Sequence, residues 1–158
     1  MTYHTSTLGK VGKAIGATDL YQVTCTTGTN NIIAQVSDLL PEKTTLVSTQ
    51  IFATRKGQRY SSLLSTDTGR DGDGIYSPMT IIANRGNGIY TIAVNKSPGF
   101  ATACEASTND DDDDLSSDHS CIATPAVLGP ELYTVRFACR NISNVNLPNT
   151  TFQLIQDN

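Results

Sequence analysis

Two acidic segments hold the residues whose types and spacing could do chemistry. In one, Asn109 precedes the run Asp110-Asp111-Asp112-Asp113-Asp114, and Asp118 and His119 follow. Together with Glu105, these place seven of the chain's fifteen acidic residues between Cys104 and Cys121. Carboxylates packed this closely repel one another. A hard cation relieves the repulsion, and calcium, which takes about six to eight oxygen ligands in flexible geometry, suits clustered Asp and Asn. The other segment is Asp67-Thr-Gly-Arg-Asp71-Gly-Asp73-Gly74. Its glycines permit the sharp turn that points carboxylates inward. The expected calcium ligands are Asp67, Asp71, Asp73, Asp110, Asp112 and Asp114. Neither segment is an EF-hand: Ile75 stands where a third oxygen ligand is needed, and no Glu closes the loop. The alternative for both is a solvated charge run and a Gly/Asp turn that hold no ion.

Other chemistry is sparse. The only histidines are His4 and His119, and a single imidazole among carboxylates makes a poor transition-metal site. No Gly-x-Ser-x-Gly motif is present, and a carboxylate dyad has no sequence signature here. The expectation is a protein without catalytic residues. Tyr21, Tyr60, Tyr76, Tyr90 and Tyr133 offer either an aromatic platform for a polysaccharide or polypeptide, or half-buried packing. Their strand positions favour packing. Asn95-Lys-Ser97, Asn141-Ile-Ser143 and Asn149-Thr-Thr151 fit the glycosylation acceptor pattern.

The elements that must position these residues are strands. Asp19–Cys25, Ile32–Asp38, Thr44–Thr54, Tyr76–Ala83, Ile89–Val94, Leu132–Cys139 and a weaker Thr150–Ile155 are β-branched or alternating runs bounded by turn residues. Asn84-Arg-Gly-Asn-Gly88 predicts a hairpin between the runs that flank it. Residues 1–17 lack a sustained period and read as a flexible N-terminal arm, with His4 exposed on it. Strands at spacings of about 10–15 residues, with no helical window, predict one all-β domain over 18–158 with an acidic loop at 104–121. Its fold class is a jelly-roll-like antiparallel β-sandwich of about eight strands.

Four cysteines, Cys25, Cys104, Cys121 and Cys139, contain no Cys-x-x-Cys pair, which removes the usual zinc and thioredoxin-like spacings. An even count points to disulfides and an oxidising compartment; buried thiols of a cytosolic protein are the alternative. Tyr21-x-Val-x-Cys25 mirrors Tyr133-x-Val-x-Phe-x-Cys139, so a Cys25–Cys139 bond between neighbouring or facing strands is favoured. Cys104–Cys121 would then pin the acidic loop.

A net charge of −4 opposes nucleic-acid binding. No apolar run is long enough for a helical membrane span. Met1–Gly9 lacks the apolar stretch of a leader, so an exported chain is expected here in mature form.

The order of motifs resembles the bacterial pre-peptidase C-terminal (PPC-like) domain family. Asp19-Leu-Tyr-Gln-Val is similar to its opening strand, and Thr45-Leu-Val-Ser-Thr-Gln-Ile-Phe before Lys56-Gly57 to its central strand. Gly88-Ile-Tyr-Thr-Ile-Ala-Val94 and Leu132-Tyr-Thr-Val-Arg-Phe are similar to its later Tyr-alternating strands. The chain departs from the family in lacking an Asp-x-Asp in the central strand and in carrying the acidic loop and its cysteines. The resemblance implies a secreted, non-catalytic binding or accessory module at or beyond the cell surface, the periplasm being the other oxidising site, with some members binding calcium. A polysaccharide or protein polymer is the expected partner. The other reading is a structural subunit of a surface assembly or filament, self-associating through residues 1–17 and the final strand.

Overall fold

The computed structural model describes residues 1–9, 17–40, 46–69, 72–97 and 130–156. Cys104, Cys121, Asp71, Asp110, Asp112, Asp114 and His119 lie outside them. Ten strands follow in chain order: β1 Thr2–Leu8, β2 Thr18–Cys25, β3 Asn31–Asp38, β4 Leu46–Arg55, β5 Gln58–Ser61, β6 Ser65–Thr66, β7 Thr80–Ile82, β8 Gly88–Ser97, β9 Glu131–Arg140 and β10 Thr151–Gln156. They form two antiparallel sheets, one of four strands in the order β1-β9-β3-β7 and one of six in the order β10-β2-β8-β4-β5, with β6 also on β4. The chain alternates between sheets in the manner of a jelly roll. Beyond the seven expected runs, the last of which is β10, the strands are β1 on β9 and the short β5 and β6, which share one edge of β4.

Alternation of side chains explains why these segments pack. On β2 the inward set is Asp19, Tyr21, Val23 and Cys25, and on β8 it includes Tyr90, Ile92 and Val94. Opposite them stand Ile32, Ala34 and Val36 of β3 and Tyr133, Val135 and Phe137 of β9, all inaccessible to solvent. Burying each large side chain of this kind contributes about 1.5–3 kcal/mol. The resulting cluster is continuous between the sheets.

Cys25 and Cys139 are bonded, with their Cα atoms 5.6 Å apart. Because β2 and β9 belong to different sheets, the bond crosses the sandwich rather than joining neighbours. It links positions 114 residues apart. The mirrored motifs therefore face each other: Tyr21 and Tyr133 share a hydrogen bond between their hydroxyls, in line with the disulfide.

Two expectations need correction. Residues 2–8 are not an arm. They form β1, paired along its whole length with β9 from Thr2↔Phe137 to Leu8↔Glu131. The inward positions are Thr2, His4, Ser6 and Leu8, so only one of four is apolar and the pattern is faint in sequence. Residues 10–16 lie outside the described set. Nor do the segments around Asn84–Gly88 make a hairpin. Both edges of β8 are taken, by β2 and β4. β7 turns instead to the free edge of β3, with Ile82 opposite Ile32. The turn between them, with positive φ at Asn84, Gly86 and Gly88, is a crossover between sheets.

Replacing both cysteines of the pair by alanine is expected to remove about 4–5 kcal/mol of stability, the loop-closure entropy of a chain of this separation. Chemical denaturation of wild type and the double variant measures it. A loss below about 1 kcal/mol would mean that the sheets are held without the bond.

Candidate functional site

The two outer faces of the sandwich differ, and that difference locates the candidate site. Over the four-stranded sheet, β3 is buried on both sides. Its outward Gln35 donates to the Ser77 carbonyl at 2.7 Å and accepts from Arg136 Nε at 3.0 Å. Arg136 in turn stacks 3.7 Å from the centre of the Tyr76 ring. Ser77 also bonds Val36 in both directions. The segment before β7 thus covers this face.

The six-stranded sheet has an open outer face. Register places its outward residues in rows across the strands. One row runs Gln153, Gln22, Thr91, Phe52 and Ser61. Another, nearer one end, holds Thr151, Thr24 and Ile89, with Thr54 opposite Arg59. Toward the other end stand Thr18, which donates to Asn95 Oδ1 at 2.7 Å, and Thr66, bonded at 2.8 Å to the buried Ser48. Hydroxyls and amides dominate, and Arg59 is the one charge among these described positions. Phe52, 39% exposed, and Ile89, 52%, are large apolar side chains of this face, with Leu20 and Leu46 nearer its other end. Around Phe52 and Ile89 is an open groove of about 600 Å³, floored by β4 and β8 and walled by Arg59 and Tyr60 of β5.

Local sequence builds this groove. Lys56 and Gly57 both take positive φ, 49° and 77°, which is the two-residue hairpin geometry that matches strand twist. That turn sets β5 against β4 and lifts Lys56 to the tip. Arg55 lies inward of it. Its Nη1 donates to the carbonyls of Thr54 at 3.0 Å and Ile89 at 2.9 Å, and its guanidinium lies 4.4 Å over the Tyr90 ring. Nε and Nη2 are enclosed with no hydrogen-bond partner. Gly88 is required here twice over: its φ is 130°, and a Cβ would sit 3.0 Å from Arg55 Nη2. Arg85, from the crossover before β8, lies 4.0 Å over Tyr60.

Charge is segregated along the strands. The described acidic residues are Asp19, Asp38, Asp67, Asp73 and Glu131, and all sit at the end away from the disulfide. Arg55, Lys56, Arg59, Arg85 and Arg140 sit at the disulfide end, whereas buried Lys96 of β8 lies at the acidic end and Arg136 midway along β9. Sequence reasoning treated Arg55–Gln58 only as a turn and missed the groove, because its walls come from β4, β5 and β8.

The expected calcium ligands fare unevenly. Asp67 and Asp73 are brought to the same side of Gly69, where a Cβ would lie 2.6 Å from Asp73 Oδ2 and 3.3 Å from Asp67 Oδ1. Asp67 is buried, and each of its oxygens accepts a backbone N–H, from Asp38 at 2.8 Å and Gly69 at 3.1 Å. Asp73 accepts from the Ile75 N–H at 2.6 Å. Asp67 thus already ties the loop to the end of β3 as a backbone cap. Among the described residues no group of three or more His, Cys, Asp or Glu is placed to hold a metal. His4 is not free on an arm: its ring packs edge-on against Tyr21 at 5.3 Å and Phe152 at 5.4 Å. Tyr21, Tyr90 and Tyr133 are core residues and form no platform.

The interior has one polar relay. Tyr133 donates to Asp19 Oδ2 at 2.6 Å, and its oxygen meets the Tyr21 hydroxyl. Burial first, and then the bond to Asp19, pushes the Tyr133 phenol far above the ordinary tyrosine range. Comparison with known proteins gives no match to a family model, a curated protein or a solved structure.

Two outcomes are expected. A phenol whose pKa is raised on folding stabilises the protein fully below its unfolded value, about 10, and less as pH rises beyond it. Stability should therefore fall above about pH 10, and Tyr133→Phe should flatten that slope while costing about 1–3 kcal/mol at neutral pH. Denaturant melts from about pH 7 to about pH 11, roughly three units below and one unit above the unfolded phenol's pKa, test it. Asp67→Ala should cost about 1–3 kcal/mol, mainly for the orphaned buried Asp38 N–H, equally in calcium and in chelator. A loss seen only with calcium present would identify Asp67 as a cation ligand.

Proposed function

We propose that this chain is a non-catalytic binding module that works outside the cytosol, at the cell surface or in the extracellular space, and that holds a hydroxyl-rich polymer on the outer face of its six-stranded sheet. One observation carries the reading: the open face pairs rows of Thr, Gln, Asn and Ser with exposed Phe52 and Ile89 at a groove. Such a face offers hydrogen-bond partners to hydroxyl groups and flat apolar surface to the carbon skeleton between them. Its floor is formed by β4 and β8, which are paired on both sides, so Phe52 and Ile89 are held in place before any ligand arrives. The cross-sheet disulfide points to an oxidising, non-cytosolic compartment. No helix among the described residues is long and apolar enough to cross a membrane.

A second reading, self-assembly, is favoured by the flank. β1 and β10 are open edges of the two sheets among the described strands, and both lie on the same side, where His4 touches Phe152. Unpaired edges are templates for another strand. Sedimentation velocity separates the two: a monomer at high concentration removes the assembly reading.

For the binding reading, co-sedimentation with insoluble polysaccharides and affinity electrophoresis in soluble ones should find retention on at least one polymer. Phe52→Ala should weaken that retention by about tenfold, or 1.4 kcal/mol. Retention on none, or release of soluble sugar from the polymer that binds, overturns the proposal.

A further inference from the structure

Resting on that reading, we propose that the polymer is an anionic polysaccharide, and that the basic end of the sandwich supplies the residues that select it. Arg59 points outward from β5 beside the groove, opposite Thr54. Lys56 stands at the tip of the β4–β5 turn, exposed. Arg85 approaches from the crossover before β8 and lies 4.0 Å over the ring of Tyr60, a residue that lines the groove. Beneath them half-buried Arg55, which also lines the groove, adds positive potential from a guanidinium whose Nε and Nη2 are enclosed. None of the described acidic residues is at this end, although the chain as a whole carries net charge −4. A local field of one sign on a protein of the opposite sign attracts an anion here and repels it elsewhere, which fixes where along the face the polymer sits.

The remaining surface argues for sugar rather than an acidic peptide. An extended peptide would gain its affinity from the backbone of an open edge. The edge at this groove, β5, is only four residues long and carries Arg59. Short edges with charged side chains are poor templates for strand addition. The neighbouring rows instead present Thr24, Thr54, Thr91 and Gln22, which suit hydroxyl groups. A planar guanidinium such as Arg59 recognises a carboxylate or sulfate through two parallel hydrogen bonds.

The test is affinity electrophoresis of the full chain in gels containing polygalacturonate, dextran or poly-L-glutamate, with Lys56→Gln/Arg59→Gln as the variant, both positions being exposed. Polygalacturonate should retard the wild type most. The variant should bind it roughly tenfold more weakly, the loss of about one charge-assisted contact, and added salt should narrow the difference. Dextran binding as tight as polygalacturonate, or a variant with undiminished affinity, overturns the anionic assignment and leaves the polymer-binding function standing. Equal or tighter binding to poly-L-glutamate overturns the assignment of a sugar ligand in favour of an acidic protein. Binding to none of the three, with retention on a neutral insoluble polymer, overturns this inference alone; retention on no polymer at all overturns both.

Discussion

The tie between β2 and β9 across the sandwich is the constraint on which the rest depends. These strands are central or near-central in opposite sheets, and they meet twice. At one end the Cys25–Cys139 bond joins them covalently. Further along, the Tyr21 and Tyr133 hydroxyls meet, and Asp19 accepts from Tyr133. A polar group in a core is tolerated only when its partners are in place. The relay therefore fixes the relative position of the two sheets as firmly as it fixes its own atoms. Between the two ties, Val23, Val135 and Phe137 fill the space without access to water.

With the sheets locked, their outer faces are free to differ. One is covered by the chain leading into β7, through Ser77, Tyr76 and the bridge from Gln35 to Arg136. The other is left open and polar. Segregation of charge follows from the same antiparallel layout. β2, β4, β8 and β9 each have one end beside the disulfide, and the basic residues fall in the turns and strand ends there. Asp67 and Asp73 are at the opposite end, folded around Gly69. The cations of the turns and the Asp67–Asp73 loop are thus held about a strand length apart, with buried Lys96 the described cation at the acidic end.

Much of the fold was legible in sequence where alternation was strong. β2, β3, β4, β8 and β9 follow runs such as Tyr21-x-Val-x-Cys25, whose inward positions are apolar or aromatic. The mirrored motifs even indicated the disulfide, because the same Tyr-x-Val alternation before each cysteine puts both on the inward faces of their strands. β1 was not legible, since Thr2, His4 and Ser6 occupy its inward positions and an edge strand is selected by the ladder it completes on β9. The hairpin expected around Asn84–Gly88 failed for a related reason. Turn chemistry is local, but the free edge that β7 needs is on β3, in the other sheet. Of the expected calcium ligands within the described residues, Asp67 accepts from two backbone amides, a contact that composition alone does not reveal.

By itself, then, the sequence determined the all-β class, the strands with apolar alternation and the pairing of Cys25 with Cys139, because each depends on residue type and short-range period. Only the tertiary structure decided that the disulfide crosses between sheets, that residues 2–8 are a strand, and that Phe52, Arg59 and Ile89 from three strands line one groove. Those features depend on which backbone edges and faces remain unsatisfied after the strands assemble, and that is a property of the whole sandwich rather than of any segment.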